Sequence, residues 1–497
     1  MKLTKTDYLI YKDCAKNAWL KVHKPDIYFL KPLSVFDQGI VETGNEVDEL
    51  ARDLFPGGVL LSDRNAEGET KKLIESQAPV IYQPVFETKL YKAICDILVW
   101  NSDAGSYDLY EVKASNSGEN KKAKDELYSY DIAFQYLVLK ELKIPIGNLF
   151  LTRLNNEYVR GENLNIHQLF KKEDFTERVL GMADAVAVEM KTAYDYISQE
   201  KEPHGSCECI TRGRSAHCTT FSYSNPHVPE YGVHDITRIG QSKKKLEKLI
   251  GDGIFSIHDV PEEFKLSDKQ KNQVNATQSG KTFINKQAIN SFLNTISDPV
   301  SFLDYETFPA AVPRFIGYSP FNQIPFQFSL HIFNRGDKEP SHAEFIFTEN
   351  KNPDEAIIGA LKKGLPSKGS VLVWYKPFEM GRNKELAERN PKHGKFLEDL
   401  NNRMVDLRDI FTEQHFVHPD FKGKTSIKYV LPALAPELSY KALDIQEGAT
   451  ASETWNKIVN KELTDEEITE KIKHLCTYCK MDTYAMYAIW KTLKNLI

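Results

Sequence analysis

Three groups of side chains in this 497-residue sequence are of types that do chemistry. The first is acidic with one amine: Asp96, then Glu111, Val112 and Lys113, with Glu46 upstream after Gly44 and Asn45, and Gln135 downstream. Side chains alternate faces along a strand, so Glu111 and Lys113 share one side while Val112 points into the core. A hairpin partner strand carrying Asp96 sets that carboxylate beside Glu111. Two carboxylates and an ammonium on one face are costly unless a cation or a partner neutralises them. A divalent metal held by Asp96, Glu111 and the Val112 carbonyl meets that need. Lys113 would then orient or deprotonate a metal-bound water, and the metal would polarise a phosphodiester oxygen. The plain alternative is an exposed cross-strand ion pair of Lys113 with Asp96 or Glu111.

The second group is purely acidic. Asp304 and Glu306 fall on one face of a strand, Glu379 follows Phe378 at the start of a helix, and Tyr478 and Asp482 share a helical face at i and i+4. Four carboxylates meeting at the end of a sheet repel one another, and two Mg²⁺ or Mn²⁺ ions about 4 Å apart relieve that charge. Such a pair activates a water and stabilises a leaving 3′ oxygen, with Tyr478 hydrogen-bonding the attacking water. The alternative is a set of unrelated surface acids. Asp406 is either an auxiliary carboxylate or a helix cap or ion-pair partner.

The third group is thiol. Of seven cysteines, Cys207, Cys209 and Cys218 fall together, and Cys14 lies near the start. Thiolates bind soft or borderline metals and clusters. Four suit a [4Fe–4S] cluster, which would tie the N-terminal helix to residues 202–231. That segment is too long for an ordinary loop unless something cross-links it. Zinc, with His204 or His217 as a ligand, is the rival, and reduced thiols in a surface loop are the bland reading. Cys95, Cys476 and Cys479 read as small buried apolar side chains.

The elements that must position these groups follow from periodicity. Residues 1–60 read as helices, 80–86, 93–99 and 107–113 as three consecutive strands, 125–142 as a helix, 148–152 as a strand and 174–200 as a helix. Residues 234–295 are helical and rich in lysine. There Lys243, Lys244, Lys245 and Lys248, with the turn around Gly251 and Gly253, form either a phosphate contact or a solvated face. Arg212 and Arg214, beside the cysteines, are placed to grip a nucleic-acid backbone. A second pattern has strands at 300–306, 326–333, 344–347 and 370–375 and helices at 353–364, 379–389 and 466–494. The chain therefore reads as multidomain α/β (α+β), with domains at 1–231 and 297–497 and a connector at 232–296.

Hydrophobic content of 41% and charged content of 27% exclude disordered, collagen-like and coiled-coil chains. No apolar run nears the roughly 18 residues of a membrane span, and the start lacks a secretory pattern, so no membrane and a cytoplasmic location are expected. A cytoplasmic chain argues against a disulfide framework. Lys+Arg 64 against Asp+Glu 70 gives −6, too balanced to announce a polyanion, although clustered basic residues remain compatible with nucleic acid. Aromatic content of 11% leaves room for base stacking.

The first half resembles the PD-(D/E)XK nucleases of the RecB type, including the iron–sulfur nucleases of CRISPR adaptation. Glu46, Asp96, Glu111, Lys113 and Gln135 match that family's residues in order, with Glu46 where the family usually has His. One cysteine before the core and three after is the layout of its iron–sulfur members, although C-x-C-x8-C is not their usual spacing. The second half resembles the DEDD exonucleases of the RNase D and proofreading type, in the Tyr subclass. Asp304 and Glu306, Phe378 and Glu379, and Tyr478 with Asp482 carry the match, with Glu379 where the family has Asp. As a whole the chain is similar to a family of bacterial fusions of these two nuclease types, on the phrases LTKTDYL (3–9), FLDYETF (302–308), QIPFQFSLH (323–331) and YCKMDT (478–483).

These resemblances imply a restriction-endonuclease-like core, a helical connector and an RNase H-like domain. They imply a Mg²⁺- or Mn²⁺-dependent nuclease acting on DNA or RNA, with single strands favoured. One site is of the PD-(D/E)XK type and one is a 3′→5′ exonuclease, with Lys113, Gln135 and Tyr478 as catalytic side chains. The Glu46 and Glu379 departures leave open a nucleic-acid-binding protein in which one fold is active and the other is a scaffold.

Overall fold

In a computed structural model, residues 1–115 and 121–497 of the chain are described. The protein is mixed α/β with several sheets. It divides into two units, Met1–Pro226 with Ala311–Phe321, and His227–Ala310 with Asn322–Ile497. Residues 232–296, predicted as a separate connector, fall inside the second unit. Val233, Ile236, Ile239, Leu246, Leu249 and Ile257 build a small core there. The lysines of helix Lys243–Gly251 lie outside it, with Lys243 and Lys248 paired to Glu247 and Asp252 one helical turn on, at 3.6 and 3.0 Å, an exposed solvated arrangement.

The first unit holds a six-stranded sheet in the order Val59–Leu60, Val80–Tyr82, Ile97–Asn101, Ser106–Lys113, Ile146–Leu154, Phe170–Asp174. Ser106–Lys113 pairs antiparallel with Ile97–Asn101 and parallel with Ile146–Leu154. Helix Lys121–Glu141 makes the crossover that a parallel pair requires. Tyr107 and Leu109 pack with Ile132, Phe134 and Val138 of that helix, whereas Tyr110 and Val112 pack with Val47 and Ala51 of helix Val35–Arg52. Glu111 keeps the parity of Tyr107 and Leu109, so it faces helix Lys121–Glu141.

The stretch predicted as three strands is five. Gln83, at φ 54°, precedes Pro84 and breaks the first run, because proline cannot continue a ladder. The chain breaks again at Cys95 and Asp96. Val85–Glu87 and Tyr91–Ile94 join Leu3–Thr4 in a separate three-stranded sheet. Asp96, predicted on a strand, is therefore at the corner between two sheets. The unpredicted strand Phe170–Asp174 is mostly charged, as suits an exposed edge.

The second unit holds a five-stranded sheet in the order Ser341–Ile346, Gln323–Phe333, Val300–Pro309, Val371–Val373, Met404–Asp406. The first three strands are antiparallel, and the last two continue parallel to Val300–Pro309. Leu303 and Tyr305 pack with Ile357, Ile358, Leu361 and Leu386 on one face. Phe302 meets Tyr487 and Trp490 on the other, with ring centroids 5.8 and 5.7 Å apart. Asp304 and Glu306 share the parity of Phe302 and so face helix Asp465–Leu496. That helix starts at a Thr464 cap with a reciprocal bond from Glu467. Its buried residues Leu475, Tyr478, Asp482, Met486, Ile489 and Leu493 recur at three- and four-residue spacing. Among the described residues no helix is long and apolar enough to cross a membrane.

Candidate functional site

The strand and the two helices of the second unit bring its four sequence-predicted carboxylates close enough for their charges to act on one another. One ligand atom each from Asp304, Glu306 and Cys479 lie within 4.8 Å of one another. The charges of Asp482, Glu306 and Glu379 all act on Asp304, and those of Asp482 and Glu379 act on Glu306. Glu306, Glu379 and Asp482 are buried.

Glu379 stands in the first turn of helix Lys376–Arg389, and the entry to that turn is strained. Tyr375, just before it, has φ 107°, a left-handed value that a side chain bearing Cβ rarely adopts. Such strain persists where the surroundings over-determine it, and here Asp406 supplies the constraint. Its carboxylate accepts from the backbone N–H of Tyr375 at 3.2 Å, of Lys376 at 2.8 Å and of Arg408 at 3.0 Å. Asp406 is thus the cap of the helix that carries Glu379. Asp482 accepts from the Tyr440 hydroxyl at 2.6 Å, and both Tyr440 and Tyr478 act on it as hydrogen-bond donors.

Burial raises the pKa of all four acids. It acts with the neighbouring charges to push Asp304 and Glu306 well above the usual carboxylate range. Glu379 is pushed up to about 8 by burial, against a backbone hydrogen bond. Asp482 is pushed up to about 6 by burial, held back by Tyr440, Lys428 and Tyr478. Tyr478 itself is raised by burial and by the Asp482 charge, so it stays a proton donor. Lys428 offsets Glu306 and Asp482, and Arg382 offsets Glu379. Glu379 Oε2 is buried with no hydrogen-bond partner. Carboxylates are hard oxygen donors, and with one orphaned oxygen among them and the Cys479 thiol beside them this group could hold a metal ion.

The raised pKa values fix the sign of a pH effect. Without divalent cation, the folded chain keeps protons on these acids that the unfolded chain has already released, so their contribution to stability falls as pH rises from about 4 to about 8. Glu379→Gln is therefore expected to gain melting temperature over the parent in EDTA near pH 8, and nothing near pH 4. An equal difference at both pH values would contradict the buried ionisation.

The first unit gathers a mixed-charge group. Lys113 contacts Glu111 and lies 2.7 Å from Asp131 Oδ2, and Lys5 lies 3.0 Å from both Glu111 Oε1 and Asp131 Oδ1. Gln135 Nε2 donates to Glu111 Oε2 at 2.6 Å and to Asp131 Oδ1 at 3.0 Å. Asp96 accepts from the Val112 N–H at 2.7 Å, and its charge acts on Glu111. Burial opposes charging Lys5 and Lys113, but the surrounding carboxylates win and raise both amines above their ordinary range. The raised pKa holds Lys113 as an ammonium ion that can donate and orient. Glu111 is fully buried, yet Lys113 and Lys5 hold its pKa below the usual value.

Glu46 is not brought into this group. It is exposed on helix Val35–Arg52, and the charge that acts on it is that of Arg314. Gln135 Oε1 is buried without a hydrogen-bond partner. Beside the group a cleft is lined by Lys5, Arg52, Asp63, Arg64, Gln83 and Asp96, a wall of mixed charge in which Lys5 and Arg52 are already paired to Glu111 and Asp48.

All four predicted thiols meet. One sulfur each from Cys14, Cys207, Cys209 and Cys218 lies within 4.8 Å of the others, and all four residues are buried. Asn225 Nδ2 donates to Cys207 Sγ at 3.3 Å. Contacts with Cys14 and with the other thiols hold Cys207 and Cys209 toward the thiolate form. This group can bind a metal ion or cluster. Cys95 is buried as expected, whereas Cys476 is half-buried, and Cys479 approaches Asp304 Oδ2 to 3.9 Å.

Sequence reasoning missed Lys5, Asp131, Tyr440, Lys428 and the placement of Cys479. Asp131 is one helical turn before Gln135, and Cys479 three residues before Asp482, so helical spacing held both signals. Lys428 and Tyr440 lie on other segments, and no spacing announces them. A family model described as "Domain of unknown function (DUF2779)" matches residues 301–426, which include Asp304, Glu306 and Glu379 but not Tyr478 or Asp482. No curated protein matches the chain.

Proposed function

We propose that the chain is a Mg²⁺- or Mn²⁺-dependent nuclease, a fusion of a RecB-like PD-(D/E)XK unit to an RNase H-like DEDD exonuclease unit. The second unit would carry a 3′→5′ exonuclease site acting on DNA or RNA. One observation supports this above the rest: Asp304 and Glu306, Glu379, and Asp482, from three distant segments, crowd one buried group with little positive charge to balance them. Asp304, Glu306, Glu379 and Asp482 would hold the divalent ions, and ions bound there supply charge neutralisation at the phosphodiester and a lowered pKa for the attacking water. The chain's own residues do the rest. Asp406 fixes the turn that aims Glu379, Tyr440 fixes the Asp482 carboxylate, and Tyr478 keeps its proton and would hydrogen-bond the attacking water.

A second reading, in which the first unit binds nucleic acid as a scaffold, is favoured by its internal neutralisation. Lys5 and Lys113 already satisfy Glu111 and Asp131, so no further cation is needed there, and Arg64 of the cleft remains for a backbone. The test is digestion of end-labelled DNA and RNA oligonucleotides by the full chain with Mn²⁺. Stepwise 3′ trimming lost in Asp482→Asn and kept in Lys113→Ala is the expected pattern. Trimming kept in Asp482→Asn refutes the exonuclease site, and trimming lost in Lys113→Ala, with folding intact, refutes the scaffold reading.

A further inference from the structure

We propose that Cys14, Cys207, Cys209 and Cys218 hold one tetrahedral zinc ion, in place of the iron–sulfur cluster that the resemblance implies. Size separates the two. With zinc–sulfur bonds of about 2.3 Å, the corners of a tetrahedron lie about 3.8 Å apart. Cys207 Sγ and Cys218 Sγ are 3.9 Å apart, and no pair in the group exceeds 4.8 Å. In a [4Fe–4S] cluster each thiolate binds a different iron, so the cluster body stands between the sulfurs and spreads them well beyond the span of a single ion.

The surrounding backbone leaves little room for that spreading. Ile210 N–H donates to the Cys207 carbonyl at 3.1 Å, Arg212 N–H to the Cys209 carbonyl at 2.9 Å and Phe221 N–H to the Cys218 carbonyl at 3.1 Å. These tight turns fix three of the four cysteines. Thr220, two residues after Cys218, is tied to Asn17 on the helix that follows Cys14, through its N–H at 3.2 Å and its hydroxyl at 2.9 Å. The histidines offered by the sequence are not ligands. His217 turns its Nε2 to the Arg212 carbonyl at 3.0 Å and stacks on Phe221, and His204 is exposed outside the group. Four thiolates close the coordination of zinc, and closed sites are structural. The ion therefore clamps residues 202–225 to the helices on either side of Cys14 and takes no part in chemistry.

The test is elemental analysis of the full-length chain, purified without oxygen from cells supplied with both iron and zinc. The expected result is one zinc per chain that leaves in step with blocking of the thiols by an organomercurial, with no sulfide and no visible absorption. Cys209→Ser should lose that zinc. Should this variant not fold, replacement of the zinc by cobalt in the parent serves instead, and the intense visible spectrum of tetrahedral cobalt thiolate is expected. Iron and sulfide in matching amounts with the visible absorption of a cluster would overturn the assignment, as would thiols that are free of metal and react at once.

Discussion

Asp304→Asn is expected to cut Mn²⁺-dependent trimming of a labelled single strand by about 10³-fold, equivalent to roughly 4 kcal/mol of transition-state stabilisation, and to raise the melting temperature of the EDTA-treated protein. The two effects have one cause. Asp304 lies among Glu306, Glu379 and Asp482, and the burial that makes its charge expensive without metal is what, on the proposed function, would draw a divalent ion to the group. Asparagine keeps the shape and removes the charge, so the metal-free fold gains a few degrees while the ion loses a ligand. Activity and stability moving in opposite directions distinguish this site from a structural acid, whose loss would lower both. A variant that trims normally, or that melts lower in EDTA, would count against the cation pocket.

Glu111→Ala is expected to destabilise the protein by roughly 3–5 kcal/mol, the usual consequence of breaking a buried charge pair from one side. Glu111 is fully buried and receives Lys5, Lys113 and Gln135. Its removal leaves two ammonium ions facing only Asp131 and the charge of Asp96. Adding Lys5→Ala should recover part of the loss, because the residues act as one network. Urea unfolding of the single and double variants measures both quantities. A loss under about 1 kcal/mol, or strict additivity, would mean that the group is far better solvated than its burial indicates.

Much of this was legible in the sequence, for identifiable reasons. Strand parity alone set Asp304 and Glu306 on one face and Glu111 opposite Val112, since alternation is a geometric property of any strand. Thiol chemistry singled out Cys14 with Cys207, Cys209 and Cys218, which do meet. What was not legible depends on tertiary placement. Lys5 enters the Glu111 group because Leu3–Thr4 pairs with Tyr91–Ile94, a contact between distant segments. Tyr440 reaches Asp482 from a short turn with no periodicity to betray it. Asp96 left its predicted strand because Gln83 and Pro84 split the preceding run and the chain changed sheets. Glu46 shares a helix with the core residues Val47 and Ala51 but sits on its exposed side, and order along the chain could not tell the two faces apart.

The most direct measurement is titration of Mn²⁺ into the full-length, chelator-treated chain at about pH 8, with free Mn²⁺ followed by its electron paramagnetic resonance signal. Asp304→Asn combined with Asp482→Asn is expected to bind two fewer ions than the parent. The same number of ions in both proteins would contradict a divalent-cation pocket built from these four carboxylates.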